Sequence, residues 1–371
     1  MNNILTPPTD IVIPNGSLTP DAIKQANDFA PLAGYKHTWE SRQFLKIKQK
    51  TIALFFGNQR GKGAMTVMGY IHRCMGSHPI PERNVNYFEC ANGHTFSPSQ
   101  WLNGFDLIHK DGLCPTCVKP NRKEVKLHKR GNKIIRFAGD ILPESEKDEI
   151  GKGTKEVKSI QYLEFMKWCP PFLIKKLPTS RKKQIELWDP YGGEEIIFEF
   201  VSYKMPVEST RGHQRISIWA DELGSEGFYD EQRPRLMIEN GDFVITYTVT
   251  EGTKSTVLFD QIFDRAQIYY RSQFMLDEYY KKVLGEDKAQ IEKTNSPYSI
   301  AVMQSASDDN PVLTTEQVVE YLMEYPDPEV QMMRRFCIFQ QLSSKIFPQF
   351  RWDTHSIDIE KSFKERMGVR I

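Results

Sequence analysis

Short apolar runs that favour strands alternate along this chain with segments in which apolar residues recur at helical spacing. "TIALFF" (51–56) is uninterrupted by charge and stops at Gly57. After a glycine-containing loop, Val67, Ile71 and Cys74 recur on one helical face, so the expected order is strand, loop, helix. Further buried strands are expected at "KIIRFAG", "EEIIFEF" and "ISIWA", and at "DFVITYTV" after a segment with Pro234 and Gly241. Apolar runs interleaved with helical stretches predict an α/β fold, a mainly parallel sheet with helices on both faces. Residues 1–34, rich in Pro, Asn and Thr, read as an N-terminal arm or peripheral helix. The stretch 255–337 reads as helical and aromatic, and "SSKIFPQFRWDTHSID" as an irregular exit segment. No internal repeat or long low-complexity tract is present.

A chain of 371 residues is long enough for one large α/β domain with insertions, or for two ordinary domains. Its 49 Lys and Arg against 48 Asp and Glu exclude a small basic DNA-coating protein, so any nucleic-acid contact must be a local patch. The N-terminus has no basic segment followed by an apolar run, and no stretch approaches a membrane span, so a soluble cytosolic protein is expected. The six cysteines are few for this length, and Cys90, Cys114 and Cys117 crowd together. That distribution favours a metal site in a reducing compartment over a disulfide framework.

Two local patterns carry phosphate chemistry. In "FFGNQRGKGAM", Gly57, Asn58, Gln59, Arg60, Gly61, Lys62 and Gly63 form a glycine loop ahead of a helix. Unpaired backbone N–H groups there bind phosphate at the positive end of the helix dipole, and Lys62 reaches the β- and γ-phosphates. The spacing is one residue shorter than the usual phosphate loop, and Gly63 stands where Ser or Thr would ligate Mg²⁺. An ordinary glycine turn with an exposed lysine fits the same letters, but the strand before and the helix after favour the nucleotide site. "RISIWADE" is an apolar strand ending in Asp221 and Glu222. Asp221 can hold Mg²⁺ through its water shell, and Glu222 can accept a proton from an attacking water. A solvated acidic pair is the alternative, and the presence of both elements in this order argues against it.

The island "YFECANGHTFSPSQWLNGFDLIHKDGLCPTCVKP" offers Cys90 and His94 as one half-site and Cys114 and Cys117 as the other. These spacings close a tetrahedron on Zn²⁺ and leave no open position for chemistry. His109 lies outside either knuckle.

Taken in order, these fragments resemble the ATPase region of the large terminase subunit, the DNA-packaging motor of tailed bacteriophages. "HTWESRQFLKIKQKTIALFFGNQRGK" resembles the family's glutamine-bearing adenine motif and variant Walker A loop, and "STRGHQRISIWADE" its Walker B segment. "TYTVTEG" resembles its coupling motif, and "DDNPVL" with "RRFCIFQQLSSKIFPQF" the end of its ATPase region. "CANGH" and "CPTC" resemble zinc-ribbon knuckles. The resemblance implies a P-loop ATPase domain over 35–345 with a helical lid region and a zinc ribbon inserted at 86–120, followed by an exit linker over 346–371. It implies ATP, Mg²⁺ and Zn²⁺ as cofactors. By the same resemblance Gln43 faces the adenine with Trp39 or Tyr35 nearby, and Thr246, Tyr247 and Thr248 sense the γ-phosphate. Arg60, Arg211, Arg233 and Arg235 are candidates for charge neutralisation in the transition state, in cis or from a neighbouring subunit. The implied function is ATP-driven translocation of double-stranded DNA into a procapsid in the host cytoplasm. The implied partners are the portal protein and the small terminase subunit, with the chain in a homo-oligomeric ring. Another nucleic-acid translocase, or a scaffold that hydrolyses nothing, are the alternatives. The family's nuclease domain is not expected here, because only 19 residues follow Trp352.

Overall fold

The computed structural model describes residues 35–339 apart from 36, 58–60, 100–111, 119–121, 132, 140–143, 148–153, 158–159, 180–181, 192–193, 225 and 250–257. The expected arm and exit linker lie outside the described residues. Helices α1 (Trp39–Phe44), α2 (Lys62–Cys74), α3 (Ile160–Trp168), α4 (Glu226–Gln232), α5 (Thr315–Leu322) and α6 (Pro328–Phe336) accompany three sheets. The strands are β1 (Thr51–Phe56), β2 (Asn86–Cys90), β3 (Thr95–Phe96), β4 (Val125–Lys129), β5 (Ile134–Gly139), β6 (Glu144–Lys147), β7 (Thr154–Val157) and β8 (Ile174–Lys176). They continue with β9 (Gln184–Leu187), β10 (Ile196–Ser202), β11 (Ser217–Asp221), β12 (Asp242–Tyr247), β13 (Ile268–Arg271), β14 (Ile291–Lys293) and β15 (Ile300–Ser305).

The main sheet has ten strands in the order β14-β13-β15-β1-β12-β11-β5-β10-β9-β8. From β13 to β10 neighbouring strands run parallel, while β14 and the β9–β8 pair join antiparallel at the edges. The expected mainly parallel α/β sheet is therefore present. β1, β12 and β15 are buried at every position, which is why their sequences are apolar without alternation. Strand geometry still sorts their side chains by face. Ile52, Leu54 and Phe56 join a core with Tyr70, Phe137, Phe165, Phe198 and Trp219. Phe55 points the other way, onto Tyr247, Phe263 and Phe339. Full burial of each such side chain stabilises the fold by about 1.5–3 kcal/mol.

Two expectations need correction. The stretch read as helical over 255–337 also supplies β13, β14 and β15, and β15 lies directly beside β1. Apolar runs as short as "IYYR" and "IAVMQS" carry no periodicity that separates a buried strand from a helical turn. The small sheet β3-β2-β4 extends the cysteine module to Lys129, past the expected end at 120, because β4 pairs with the whole of β2. That module is tied firmly to the main domain. The Arg130 guanidinium donates to the carbonyls of Glu82 and Glu239, and Asn86 Nδ2 donates to the Asp189 carboxylate at 2.8 Å. Among the described residues, no helix is long and apolar enough to cross a membrane.

Candidate nucleotide and metal sites

Parallel strands place their C-terminal ends on one edge of the sheet, and there the loop after β1 meets the ends of β11, β12 and β15. Gly57 donates its N–H to the Ser305 carbonyl at 2.9 Å. A side chain at Gly57 would stand 2.5 Å from the Arg335 carbonyl and from Ser307 N, so only glycine fits. Gly61 caps α2 in the left-handed region at φ 76°, a conformation that glycine adopts without penalty. Asn58, Gln59 and Arg60 lie outside the described residues. The start of α2 therefore presents Lys62 and its unpaired N–H groups to the space above the sheet.

The structure brings Lys62, Asp221, Glu222, Thr246 and Thr248 together. Lys62 Nζ bonds the Glu222 carboxylate and lies 2.5 Å from Thr248 Oγ1. Thr248 N–H donates to both Glu222 oxygens at 3.1 and 3.0 Å. Thr246 Oγ1 donates to Asp221 Oδ1 at 2.6 Å and accepts from Trp219 Nε1 at 2.8 Å. The two threonines thus hold different members of the acidic pair. Glu222 sits at φ 47°, a left-handed conformation unusual for a residue with a side chain, and its N–H donates to the Thr246 carbonyl at 2.8 Å. This turn swings the Glu222 carboxylate away from the strand axis and over the lysine. Tyr247, the remaining residue of that motif, is buried and packs edge-on against Phe55.

Gly63 lies beside Trp219 and Glu164, and a Cβ built on it would meet Glu164 Cγ at 3.6 Å, an ordinary contact. Thr66 does not replace the hydroxyl that Gly63 lacks, because its Oγ1 donates to the Lys62 carbonyl at 2.8 Å and is buried. Asp221 is held by Thr246 at the end of β11, and its carboxylate is a donor of the type that Mg²⁺ takes.

A cavity of about 370 Å³ adjoins the loop, lined by Tyr35, Glu40, Gly61, Met65, Trp168 and Asn310 among others. Tyr35 packs edge-on against Trp168, with ring centroids 5.3 Å apart. Gln43 is half-buried on α1 and does not line this cavity, and Trp39 packs against the core. Trp168 gave no sequence signal, because it arrives from α3, more than a hundred residues beyond the loop.

Of the candidate arginines, Arg211, Arg233 and Arg235 lie elsewhere. Arg211 and Arg235 share Glu231, at 3.4 and 2.8 Å, and Arg233 stacks over Tyr229. Arg233 and Arg235 sit on the turn that leads into β12, and Arg211 precedes β11, so all three belong to the N-terminal edge of the parallel strands. Within one subunit the sheet separates them from Lys62.

Cys337 was not singled out by the sequence. It ends α6 in a left-handed conformation and is buried. Its Sγ accepts from Val249 N–H at 3.1 Å and donates to the Tyr247 carbonyl at 3.4 Å, bridging the peptides on either side of Thr248. Burial pushes its thiol up to about 12, so the neutral S–H that this bridge needs persists at any ordinary pH.

The second site is preformed. The ligand atoms of Cys90, His94, Cys114 and Cys117 all lie within 4.8 Å of one another. His94 Nδ1 is 3.5, 3.5 and 3.4 Å from the sulfurs of Cys90, Cys114 and Cys117. A tetrahedron with Zn–S of about 2.3 Å and Zn–N of about 2.0 Å has edges of roughly 3.5–3.8 Å, so the donor set fits zinc. Gly93 at φ 78° and the Cys90 N–H to His94 carbonyl bond close the first knuckle. Asn92 Nδ2 donates to Cys117 Sγ at 3.2 Å, and Arg122 holds the Leu113 and Cys114 carbonyls of the second knuckle.

The chain matches no protein-family model and no curated protein sequence. Solved structures similar to it include the large terminase ATPase domain of Thermus phage P74-26, at 13% identity and a TM-score of 0.42, over 83% of this chain and 96% of that one. Also similar is the large terminase of another thermophilic bacteriophage, at 10% identity and a TM-score of 0.43. There the match covers 81% of this chain and 53% of the other, so the chain spans about half the length of that protein. The same second terminase in complex with ADP is similar at 10% identity and a TM-score of 0.36, over 81% of this chain and 50% of that one. In structure, then, this chain is similar to the ATPase domains of phage large terminases.

Proposed function

We propose that the chain hydrolyses ATP as the motor subunit of a DNA-packaging terminase. The observation that carries this reading is the convergence of Lys62, Glu222 and Thr248 above a glycine loop at the C-terminal edge of a parallel sheet. Gly61 and the first turn of α2 bind the phosphates, and Lys62 leaves Glu222 to neutralise the β- and γ-oxygens. Glu222, freed of that pair, accepts the proton of the attacking water. Asp221 would hold Mg²⁺, which would supply neutralisation of charge on the phosphoryl group. Tyr35 and Trp168 flank the base. Thr248, bonded to both Lys62 and Glu222, reports whether the lysine is engaged by phosphate, and this gives the coupling segment a physical role. Cys90, His94, Cys114 and Cys117 would hold Zn²⁺ in a structural role, with no coordination position left open for chemistry. Double-stranded DNA, the portal protein and the small terminase subunit as partners, a homo-oligomeric ring and a place in the host cytoplasm follow from the sequence resemblance.

The test is ATP turnover with and without linear double-stranded DNA. Lys62→Ala should abolish turnover and nucleotide binding. Glu222→Gln should abolish turnover while nucleotide still binds, since only the proton acceptor is lost. Wild-type turnover in the Glu222→Gln protein would remove the central assignment.

A further inference from the structure

On the edge of the sheet opposite the phosphate loop, a cleft of about 410 Å³ opens where β1, β12 and β15 begin. Lys50, Arg233 and Arg265 line it together with Tyr229, Tyr298 and Asn240, and none of the described residues lining it is a carboxylate. Arg233 lies over the Tyr229 ring at 5.3 Å and Arg265 over the Tyr298 ring at 5.3 Å. Neither arginine has an ion-pair partner among the described residues, and both are exposed, as is Lys50. Lys50 Nζ donates to the Asn240 carbonyl at 2.7 Å, a neutral partner.

Behind the cleft, buried Arg73 and half-buried Arg83 share the carboxylate of Asp242, while Arg130 lies 3.8 Å from the Glu239 carboxylate and donates to the Glu82 and Glu239 carbonyls, so the charges there are largely matched and the unmatched cations are those that line the cleft. Partial burial, with the Arg83 and Arg130 charges beside it, lowers the Lys50 ammonium to about 8. The three cations come from separate segments, two of them lie over aromatic rings, and none has an ion-pair partner among the described residues, so the cleft is suited to an anion.

We propose that this cleft binds the phosphodiester backbone of DNA through Lys50, Arg233 and Arg265. The chain as a whole is nearly neutral, at a net charge of +1, so its DNA contacts must be concentrated in such local patches. Arginine and lysine supply the phosphate contacts without reading sequence, which suits a protein that must grip any DNA. The choice of DNA as the anion rests on the packaging reading above, whereas the cleft is separate from the nucleotide site.

The experiment measures binding of the whole chain to a 30-base-pair duplex by fluorescence anisotropy over a salt series, beside ATP turnover without DNA. Each phosphate contact contributes a salt slope of about 0.9, which at about 0.15 M salt is roughly fivefold in affinity. The Lys50→Gln/Arg265→Gln double variant, which keeps both side-chain stems, should bind DNA some 25-fold more weakly, with a slope lower by about 2. Its DNA-independent ATP turnover should be unchanged, because neither residue belongs to the nucleotide site. Arg233→Gln should weaken DNA binding about fivefold whatever the duplex sequence. Unchanged affinity and slope in the double variant would overturn the proposal. Unchanged DNA affinity with lost self-association in sedimentation would also overturn it, and would give the cleft to an acidic protein surface. Absence of wild-type ATP turnover alongside these DNA effects would reject the ATPase reading and leave the cleft assignment standing.

Discussion

Replacing Cys337 by alanine tests whether the end of α6 positions Glu222, the residue proposed above as the proton acceptor. The thiol bridges Val249 N–H and the Tyr247 carbonyl, and both residues are almost wholly buried, Val249 at 0% and Tyr247 at 3% exposure. Alanine leaves a buried N–H with no partner at a cost of about 1–3 kcal/mol, a penalty the chain escapes only by shifting residues 247–249. Thr248 lies at the centre of that shift, and its N–H is the group that holds both Glu222 oxygens. If half of the penalty is relieved by displacing Glu222, about 0.5–1.5 kcal/mol of transition-state stabilisation is lost and kcat falls roughly two- to tenfold. Nucleotide affinity should stay within about twofold, because Gly57, Gly61 and Lys62 belong to β1 and α2. Cys337→Ser supplies a donor and an acceptor at the same place and should recover most of the rate. The assay is kcat and nucleotide Kd on one preparation, with Tm as the control. A Cys337→Ala protein with lowered Tm and unchanged kcat would refute the argument and make the thiol a packing group only. Equal losses in Kd and kcat would refute it too.

Purification without chelator should yield one zinc per chain by metal analysis, and Cys114→Ser should abolish it and expose the 86–129 module to protease, because the metal's binding energy is part of the module's folding energy. Gly63→Ser adds a hydroxyl where a Cβ meets only ordinary contacts, so if water now fills that coordination position it should lower the Mg²⁺ concentration needed for half-maximal ATP turnover; an unchanged requirement would show that the missing ligand is supplied by another side chain. Stability should fall as pH drops from about 6.5 toward 4, since burial, with His37 nearby, holds folded His72 at about 4 and burial holds His78 low as well. The unfolded chain binds protons in that window that the folded chain refuses, so the His72 contribution alone removes about 3 kcal/mol by pH 4. Denaturant midpoints for wild type and His72→Gln should then converge as pH falls, and parallel curves would count against it.

What the sequence disclosed follows from how local each determinant is. β1, β11 and β12 are continuous apolar runs flanked by glycine or acidic residues, and Gly57, Lys62, Asp221 and Glu222 sit at their ends, within a few residues of the signal that marks them. The convergence of Cys90, His94, Cys114 and Cys117 was equally legible, since each half-site closes within five residues. β13 and β15 were not, because four to six apolar residues without turn signals at both ends fit a buried strand and a helical turn alike. Trp168, Glu164 and Cys337 were hidden for a different reason. Each acts through contacts with elements remote in sequence, and no spacing rule reports such contacts. Gln43 shows the converse, a residue whose motif suggested the base while the cavity beside the loop is lined by Tyr35 and Trp168 instead.

The placement of the arginines bears on how the two edges of the sheet can work together. β1 begins at the cation cleft with Thr51, next to Lys50, and ends at Phe56, next to Gly57; β15 begins there with Ile300 and ends at Ser305; and β12 begins next to Gly241 and ends at Tyr247, next to Thr248. Three strands therefore connect the cleft directly with the phosphate loop, the carbonyl that holds it, and the threonine that holds Glu222. Six residues of strand span only about 20 Å, and all three strands are buried along their whole length in a close-packed core that resists compression. A ligand that shifts the start of these strands has few soft contacts in which to dissipate the displacement before it reaches Gly57 and Thr248. If DNA occupies the cleft, duplex DNA should raise kcat in the wild type, and the stimulation should disappear in Lys50→Gln/Arg265→Gln while turnover without DNA persists. Stimulation that survives in the double variant would mean that DNA acts on the nucleotide site by another route.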